Sequence, residues 1–187
     1  MGVGGAVGYA RADVSGGKAD ISNVNVKNSI LNPLSMTLAG GMLGIVQGAQ
    51  IRDSYCDTEI NINGGTTGGF VGVINDLAGA EFTNCAYTGK MSGNTAVNVG
   101  GFIGKSDLAA ASIVEGKTFV NNMYVQNFVG AATAVGTAAA PISSGITPLS
   151  ITPTEILGLA KGNTAPISTN AKVTPEAALC GYAFAGY

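Results

Sequence analysis

The sequence Gly68-Gly69-Phe70-Val71-Gly72 is one copy of a motif made of two glycines, two apolar residues and a third glycine. Four copies recur at intervals of roughly 30 residues, a period that is typical of repeat proteins. Each copy is therefore predicted to begin one structural repeat. The glycines of the four copies are Gly4, Gly5 and Gly8; Gly40, Gly41 and Gly44; Gly68, Gly69 and Gly72; and Gly100, Gly101 and Gly104.

A second motif follows every copy of the first and leads into a short β-like run. It consists of an apolar residue, any residue, and then Asn or Asp, which tolerate left-handed backbone and favour a bend. Two motifs that recur four times in the same order indicate a genuine repeat. The second motif occurs as Ile21-Ser22-Asn23, Ile51-Arg52-Asp53, Phe82-Thr83-Asn84 and Phe119-Val120-Asn121.

The segments between the glycines are short and rich in Val, Ile, Thr, Tyr and Phe, which favours strands over helices. We predict an all-β fold, a short parallel β-helix (β-solenoid) of about four coils over residues 1–130. Glycines at its corners are expected to permit positive φ angles or a close approach of backbones.

The composition argues against several functional classes. Charged residues make up 11% of the 187 residues and the net charge is -2, with Lys and Arg scattered singly, so nucleic-acid binding is not expected. An uninterrupted apolar run of about 18 residues is absent from the sequence, so no membrane span is predicted. The chain starts inside the repeat without the features of a signal peptide, which favours a fragment or a processed chain.

The sequence contains no histidine, which excludes Ser-His-Asp, Cys-His and His-metal sites. Asp53, Asp57 and Glu59 form the densest acidic group, but they lack a calcium-loop pattern. We therefore predict no catalytic, cofactor-binding or metal-binding residues and no cofactor. A carbohydrate-active β-helix enzyme remains an alternative, because paired carboxylates can hydrolyse glycosidic bonds.

Three cysteines, Cys56, Cys85 and Cys180, lack the spacing of metal or redox sites. We expect buried, reduced thiols, with a Cys56–Cys85 disulfide as the alternative. The tyrosines of successive repeats form either an aromatic platform for glycans or, as we prefer, alternating core or turn-capping residues. These tyrosines are Tyr55, Tyr87 and Tyr124.

Two adjacent residues are apolar in each glycine motif, although neighbours in a strand point to opposite faces. Either a corner falls between them, or an outer apolar face is covered by the C-terminal tail or by another chain. We favour the second explanation. The predicted partner face consists of Leu43, Val71 and Ile103.

The repeat pattern ends near residue 130, so residues 131–187 are predicted to form a separate segment that caps the solenoid or exchanges between subunits. Thr152-Pro153-Thr154-Glu155 resembles a capping box and predicts a short helix over 153–161. Thr174-Pro175-Glu176 and Gly181 predict another helix over 175–180.

The third repeat resembles the GLUG motif of bacterial surface proteins. The resemblance covers roughly residues 1–130 and rests on Gly69-Phe70-Val71-Gly72, then Phe82-Thr83-Asn84-Cys85-Ala86-Tyr87-Thr88-Gly89, then Met91-Ser92-Gly93. It implies an extracellular or cell-surface setting and a non-catalytic, adhesin-like or structural role. We predict other protein subunits or surface glycans as partners. A self-assembling extracellular filament, with this chain as a homo-oligomeric subunit, is an alternative.

Overall fold

A computed structural model describes residues 1–13, 15–76, 78–94, 98–125 and 133–149. These residues form an all-β structure of parallel sheets, in which the one helical element is a 3-10 turn at Ala110–Ser112. The predicted helices over 153–161 and 175–180 lie outside the described residues, as does Cys180. The first sheet contains β1 (Gly2–Gly4), β6 (Leu38–Gly40), β11 (Thr66–Gly68) and β16 (Val99–Gly100). The second sheet contains β2 (Val7–Arg11), β7 (Leu43–Gln47), β12 (Val71–Ile74), β17 (Ile103–Ser106) and β20 (Val135–Ala138).

Three further sheets complete the described structure. The third sheet contains β3 (Ala19–Ser22), β8 (Ala49–Arg52), β13 (Ala80–Thr83) and β18 (Phe119–Val120). The fourth contains β4 (Asn25–Val26), β9 (Tyr55–Cys56), β14 (Ala86–Tyr87), β19 (Asn122–Val125) and β21 (Ile146–Leu149). The fifth contains β5 (Ile30–Leu31), β10 (Glu59–Asn63) and β15 (Met91–Asn94).

Consecutive strands belong to different sheets, and from β1 to β16 the chain visits all five sheets in turn before it returns to the first. Each return adds a parallel strand beside the previous one, which is the pattern of a β-helix-like fold. The register aligns the glycine motifs, because Gly40 pairs with both Gly4 and Gly68, and Gly68 pairs with Gly100. The prediction of an all-β fold with parallel sheets is confirmed.

The glycine motif forms the corner between the first and second sheets. Among the described residues its glycines do not have positive φ, so the close approach of backbones is the reason for glycine here. A Cβ on Gly72 would lie 2.5 Å from the carbonyl oxygen of Gly44 and 2.8 Å from the backbone of Ala39. The two sheets therefore pack backbone against backbone at this corner.

The second glycine of the motif makes room for a tyrosine ring. A Cβ on Gly69 would overlap the ring of Tyr87, and a Cβ on Gly101 would overlap the ring of Tyr124. Both rings are buried, as is that of Tyr55. The tyrosines therefore belong to the core, as the preferred alternative held, and do not form an exposed platform.

The Asn and Asp residues of the second motif adopt left-handed backbone, as predicted from their tolerance of that region. Their φ angles are 56° for Asn23, 49° for Asp53, 54° for Asn84 and 53° for Asn121. They follow the strands of the third sheet and turn the chain toward the fourth sheet.

Stacked apolar side chains fill the interior. Phe70 and Phe102 stack with ring centroids 4.9 Å apart, and Phe82 and Phe119 stack at 5.6 Å. Phe82 also meets the edge of Phe102 at 6.2 Å, which joins the two stacks. Cys56 and Cys85 are buried in the same core, and no disulfide joins them.

The structure corrects the expectation of an apolar partner face. Leu43, Val71 and Ile103 have no exposed surface and belong to the core of the single chain. The chain bends just before each of them, as at Gly41 and Met42 between β6 and β7, so both apolar residues of the motif point inward. The corner, which was the other explanation from the sequence, accounts for the paired apolar residues.

Strand pairing extends beyond residue 130, where the sequence pattern ends. Strand β20 pairs with β17, and β21 pairs with β19, so the sheets continue to Leu149. Gly136 repeats the close approach of the earlier motifs, since its Cβ would lie 2.7 Å from the backbone of Val99. Part of the segment 131–187, namely strands β20 and β21, therefore belongs to the sheets.

In the described part of the chain, no helix has the length and apolar character needed to cross a membrane.

Candidate binding surface

Polar side chains are arranged in rows on the outside of the sheets, with one member from each repeat. The first row, which we call the corner row, contains Asn23, Asp53, Asn84 and Asn121. Asn84 donates to the carboxylate of Asp53 at 2.9 Å, and Asn121 donates to the side-chain oxygen of Asn84 at 3.4 Å. The corner row thus links the second, third and fourth repeats through side-chain amides.

The outer side of the third sheet carries a cluster of charges centred on Glu81. Lys18 donates to Glu81 at 2.6 Å, Gln50 donates at 3.0 Å, and Lys117 lies 3.5 Å away. These partners come from before β3, from β8 and from before β18, so one carboxylate connects all four repeats. Nearby, Arg52 forms a two-fold hydrogen bond with the carboxylate of Asp20, a second link between repeats.

The ionisation of Glu81 depends on this cluster. Partial burial raises the pKa of Glu81, but the hydrogen bond from Lys18 and the charges of Lys18 and Lys117 outweigh it, so the pKa lies below the ordinary value. Because the folded-state pKa is lowered, the contribution to stability is fully present above the pKa of the unfolded chain and is lost as the pH falls through the folded-state pKa.

We expect Glu81→Gln to lower the free energy of unfolding by about 1 kcal/mol at neutral pH, the upper range for partly exposed ion pairs. The difference from the wild type should shrink as the pH falls below the ordinary pKa of glutamate, because the wild-type carboxylate becomes protonated. Urea unfolding at a series of pH values measures this difference. A difference that stays constant into the acid range would contradict the role of the charge.

A third set of side chains, the amide row, lies on the outside of the fifth sheet. Asn61 donates to the side-chain oxygen of Asn32 at 2.7 Å, and Ser92 donates to the side-chain oxygen of Asn61 at 2.9 Å. Asn32 is exposed, and Asn63 at the end of β10 is also exposed. An amide has two donor hydrogens and an accepting oxygen, so this row keeps hydrogen-bonding capacity for a ligand.

The acidic residues of the densest sequence group do not converge. Asp53 accepts a hydrogen bond from Asn84, and Asp57 accepts one from the backbone N–H of Asn28 at 2.7 Å. Within the described residues, no group of three or more His, Cys, Asp or Glu side chains is placed to hold a metal ion.

The buried thiol and phenol groups near these strands are chemically unreactive. Burial raises the pKa of the Cys56 thiol to about 12, although hydrogen bonds with Thr58 act in the opposite direction. Burial also raises the pKa of Tyr55 and of Tyr87. A thiol with a raised pKa carries little thiolate at neutral pH and is a poor nucleophile.

A cavity of about 470 Å³ lies beside the last strands. One wall is formed by the connection between β17 and β18, which is longer than the single residue between β7 and β8. The other wall is formed by the connection between β20 and β21. Residues that line the cavity include Ile113, Val114, Phe119, Pro141, Ser143 and Ser144.

Comparisons of the chain with protein-family models, with curated proteins and with solved structures found no match. The glycines predicted to be structural lie at the corner between the first and second sheets, where protein backbone or side-chain atoms occupy the space that a Cβ would need. The amide row was not predicted. A sequence pattern for it exists, since Leu31-Asn32, Ile60-Asn61 and Met91-Ser92 repeat an apolar residue followed by a small polar one.

Proposed function

We propose that this chain is a non-catalytic, adhesin-like or structural repeat module of the cell surface, which acts by contact with a glycan or a protein. We infer about four coils of a β-solenoid, followed by a partial fifth coil that contains β20 and β21, and the parallel sheets support this arrangement. The resemblance to the GLUG motif supports the extracellular setting.

The observation that carries the proposal is the separation of polar and apolar groups. The interior is filled by apolar and aromatic side chains, whereas the amide row and the corner row lie along the outside. Catalysis of glycoside hydrolysis uses two carboxyl groups that flank one bond. Here the carboxylates of Asp20, Asp53 and Glu81 are instead engaged with neighbouring side chains.

The direction of the rows favours an extended ligand. Parallel strands are about 4.8 Å apart, so the amides of one row repeat at that spacing along the stack. A polymer with regularly spaced hydroxyl or amide groups, such as a polysaccharide, contacts several members of a row at once. Each contact is weak, but several contacts on one chain add up.

The test is a glycan array probed with the wild type and with the double variant Asn32→Ala and Asn61→Ala. Loss of two side-chain hydrogen bonds, each worth about 0.5 to 1.5 kcal/mol, is expected to weaken binding by about tenfold. The control is Ser22→Ala with Thr83→Ala, which removes two polar groups from the outer side of the third sheet and is expected to leave binding unchanged.

Equal glycan binding by the wild type and the amide-row variant would show that the fifth sheet is not the glycan-binding surface. Turnover of a bound glycan would favour the carbohydrate-active enzyme instead.

A further inference from the structure

The dipeptide Asn63-Gly64 lies where β10 ends and the chain turns toward β11. Asn63 is the only asparagine in the sequence that is followed by glycine. Asparagine is a thermally labile residue, because the backbone nitrogen of the next residue can attack its side-chain carbonyl carbon. A glycine in the next position has no Cβ to hinder this attack and leaves the backbone free to adjust.

The side chain of Asn63 faces solvent on the outer side of the fifth sheet. Successive side chains of a strand point to opposite faces. In β10, Ile60 and Ile62 are buried, whereas Asn63 is exposed. Asn63 therefore shares a face with Asn61 of the amide row, and water has access to its side-chain amide.

The backbone around Gly64 is open. Asn63 and Asn94 form the last pair of the ladder between β10 and β15, so the chain leaves this sheet at Gly64. Gly64 and Gly65 have φ angles of 81° and 76°. Apart from its chain neighbours, the atoms nearest to an added Cβ on Gly64 belong to Ser35, at 3.8 Å. The nitrogen of Gly64 thus has room to turn toward the Asn63 side chain without displacing the core.

Other amide side chains of the chain lack this combination of features. Gln47 also precedes a glycine, but it is only 6% exposed and accepts a hydrogen bond from the hydroxyl of Tyr9. Its longer side chain would have to close a six-membered ring, which forms more slowly than a five-membered one. Asn84 lies at a bend with positive φ, but the next residue is Cys85, whose side chain hinders the attack.

We propose that Asn63 is a site of spontaneous deamidation, which replaces an amide by a carboxylate on the outer face of the fifth sheet. The Gly64 nitrogen loses its proton and bonds to Cγ of Asn63, and the Cγ–Nδ2 bond breaks as ammonia leaves with that proton. Water then hydrolyses one of the two carbonyl–nitrogen bonds of the succinimide ring, which yields aspartate or isoaspartate.

The reaction consumes water, releases ammonia and needs no oxidant, reductant or enzyme. The new carboxyl group is ionised at neutral pH, so each event adds one negative charge beside the amide row. This chemistry requires no ligand and goes beyond the binding function proposed above.

The experiment incubates the full chain in warm, mildly alkaline buffer made with heavy-oxygen water and then maps its peptides by mass spectrometry. The peptide that contains Asn63 is expected to exchange its amide nitrogen for labelled oxygen, whereas peptides with the other asparagines keep their masses. The label marks events of the incubation and excludes those of the later digestion. Asn63→Gln keeps an exposed amide and is expected to lose the mass change completely.

The same incubation of the chain unfolded in guanidinium shows what the fold contributes. An Asn63 peptide that changes in the unfolded chain and stays intact in the folded chain would overturn the proposal, because the fold would then protect the site. An Asn63 that stays intact in both states, or label that enters several asparagines equally fast, would also overturn it. Chromatography is expected to separate two products, aspartate and isoaspartate, and aspartate alone would contradict the ring intermediate.

Discussion

Replacing Gly72 with alanine is expected to lower the free energy of unfolding by about 3 kcal/mol or more, a large part of the total for a domain of this size. The added Cβ would lie 2.5 Å from the Gly44 carbonyl oxygen and 2.8 Å from backbone atoms of Ala39. Backbone atoms of two sheets cannot rotate away as a side chain does, so the sheets must separate. Urea unfolding followed by circular dichroism measures the loss.

Gly8→Ala is the matched control, because Gly8 occupies the same motif position in the first repeat. Its added Cβ would approach the carbonyl oxygen of Gly2 at 3.0 Å and would meet no other backbone within 3.5 Å. We expect a cost below about 1 kcal/mol. Similar costs for the two variants would show that the close approach of the sheets does not decide the choice of glycine.

Phe102→Ala is expected to destabilise the fold by about 3 to 5 kcal/mol, the usual cost of truncating a buried phenylalanine. Phe102 has no exposed surface, stacks on Phe70 and meets the edge of Phe82. Its removal leaves a cavity between two stacks and breaks the contact that joins them. Thermal unfolding of the variant should show a lower midpoint.

Phe102→Leu keeps most of the apolar volume and should recover more than half of that loss. If leucine proved as damaging as alanine, ring stacking rather than volume would be the source of stability. If alanine cost less than about 1 kcal/mol, the side chains around position 102 would have to collapse into the space.

The fold could be predicted from the sequence because its repeat combines two independent constraints. The glycine motif indicated close-packed corners, and Asn23, Asp53, Asn84 and Asn121 indicated left-handed bends, which the structure confirms at all four positions. The direction of Leu43 was predicted incorrectly. Successive side chains point to alternate faces only within a strand, and a bend at Gly41 and Met42 interrupts this alternation just before Leu43.

The surface was harder to predict than the core. Asn32 and Asn61 lie on one face only because β5 and β10 pair in a register that places Leu31 beside Ile60. The cavity depends on two connections of irregular length, whose path is not encoded in the repeat. The continuation of the sheets to Leu149 was missed because the two-glycine motif is reduced to Gly136 in the last repeat.

The contacts of Glu81 have a consequence for the evolution of the array. Repeat proteins commonly change length by duplication or loss of a unit. Lys18 in the first repeat reaches Glu81 in the third, with Gln50 between them. An extra unit inserted between the second and third repeats would move Lys18 about 4.8 Å farther from Glu81 and break this ion pair. The charged cluster thus fixes the number of units between Lys18 and Glu81. A duplication within the central repeats would break this ion pair.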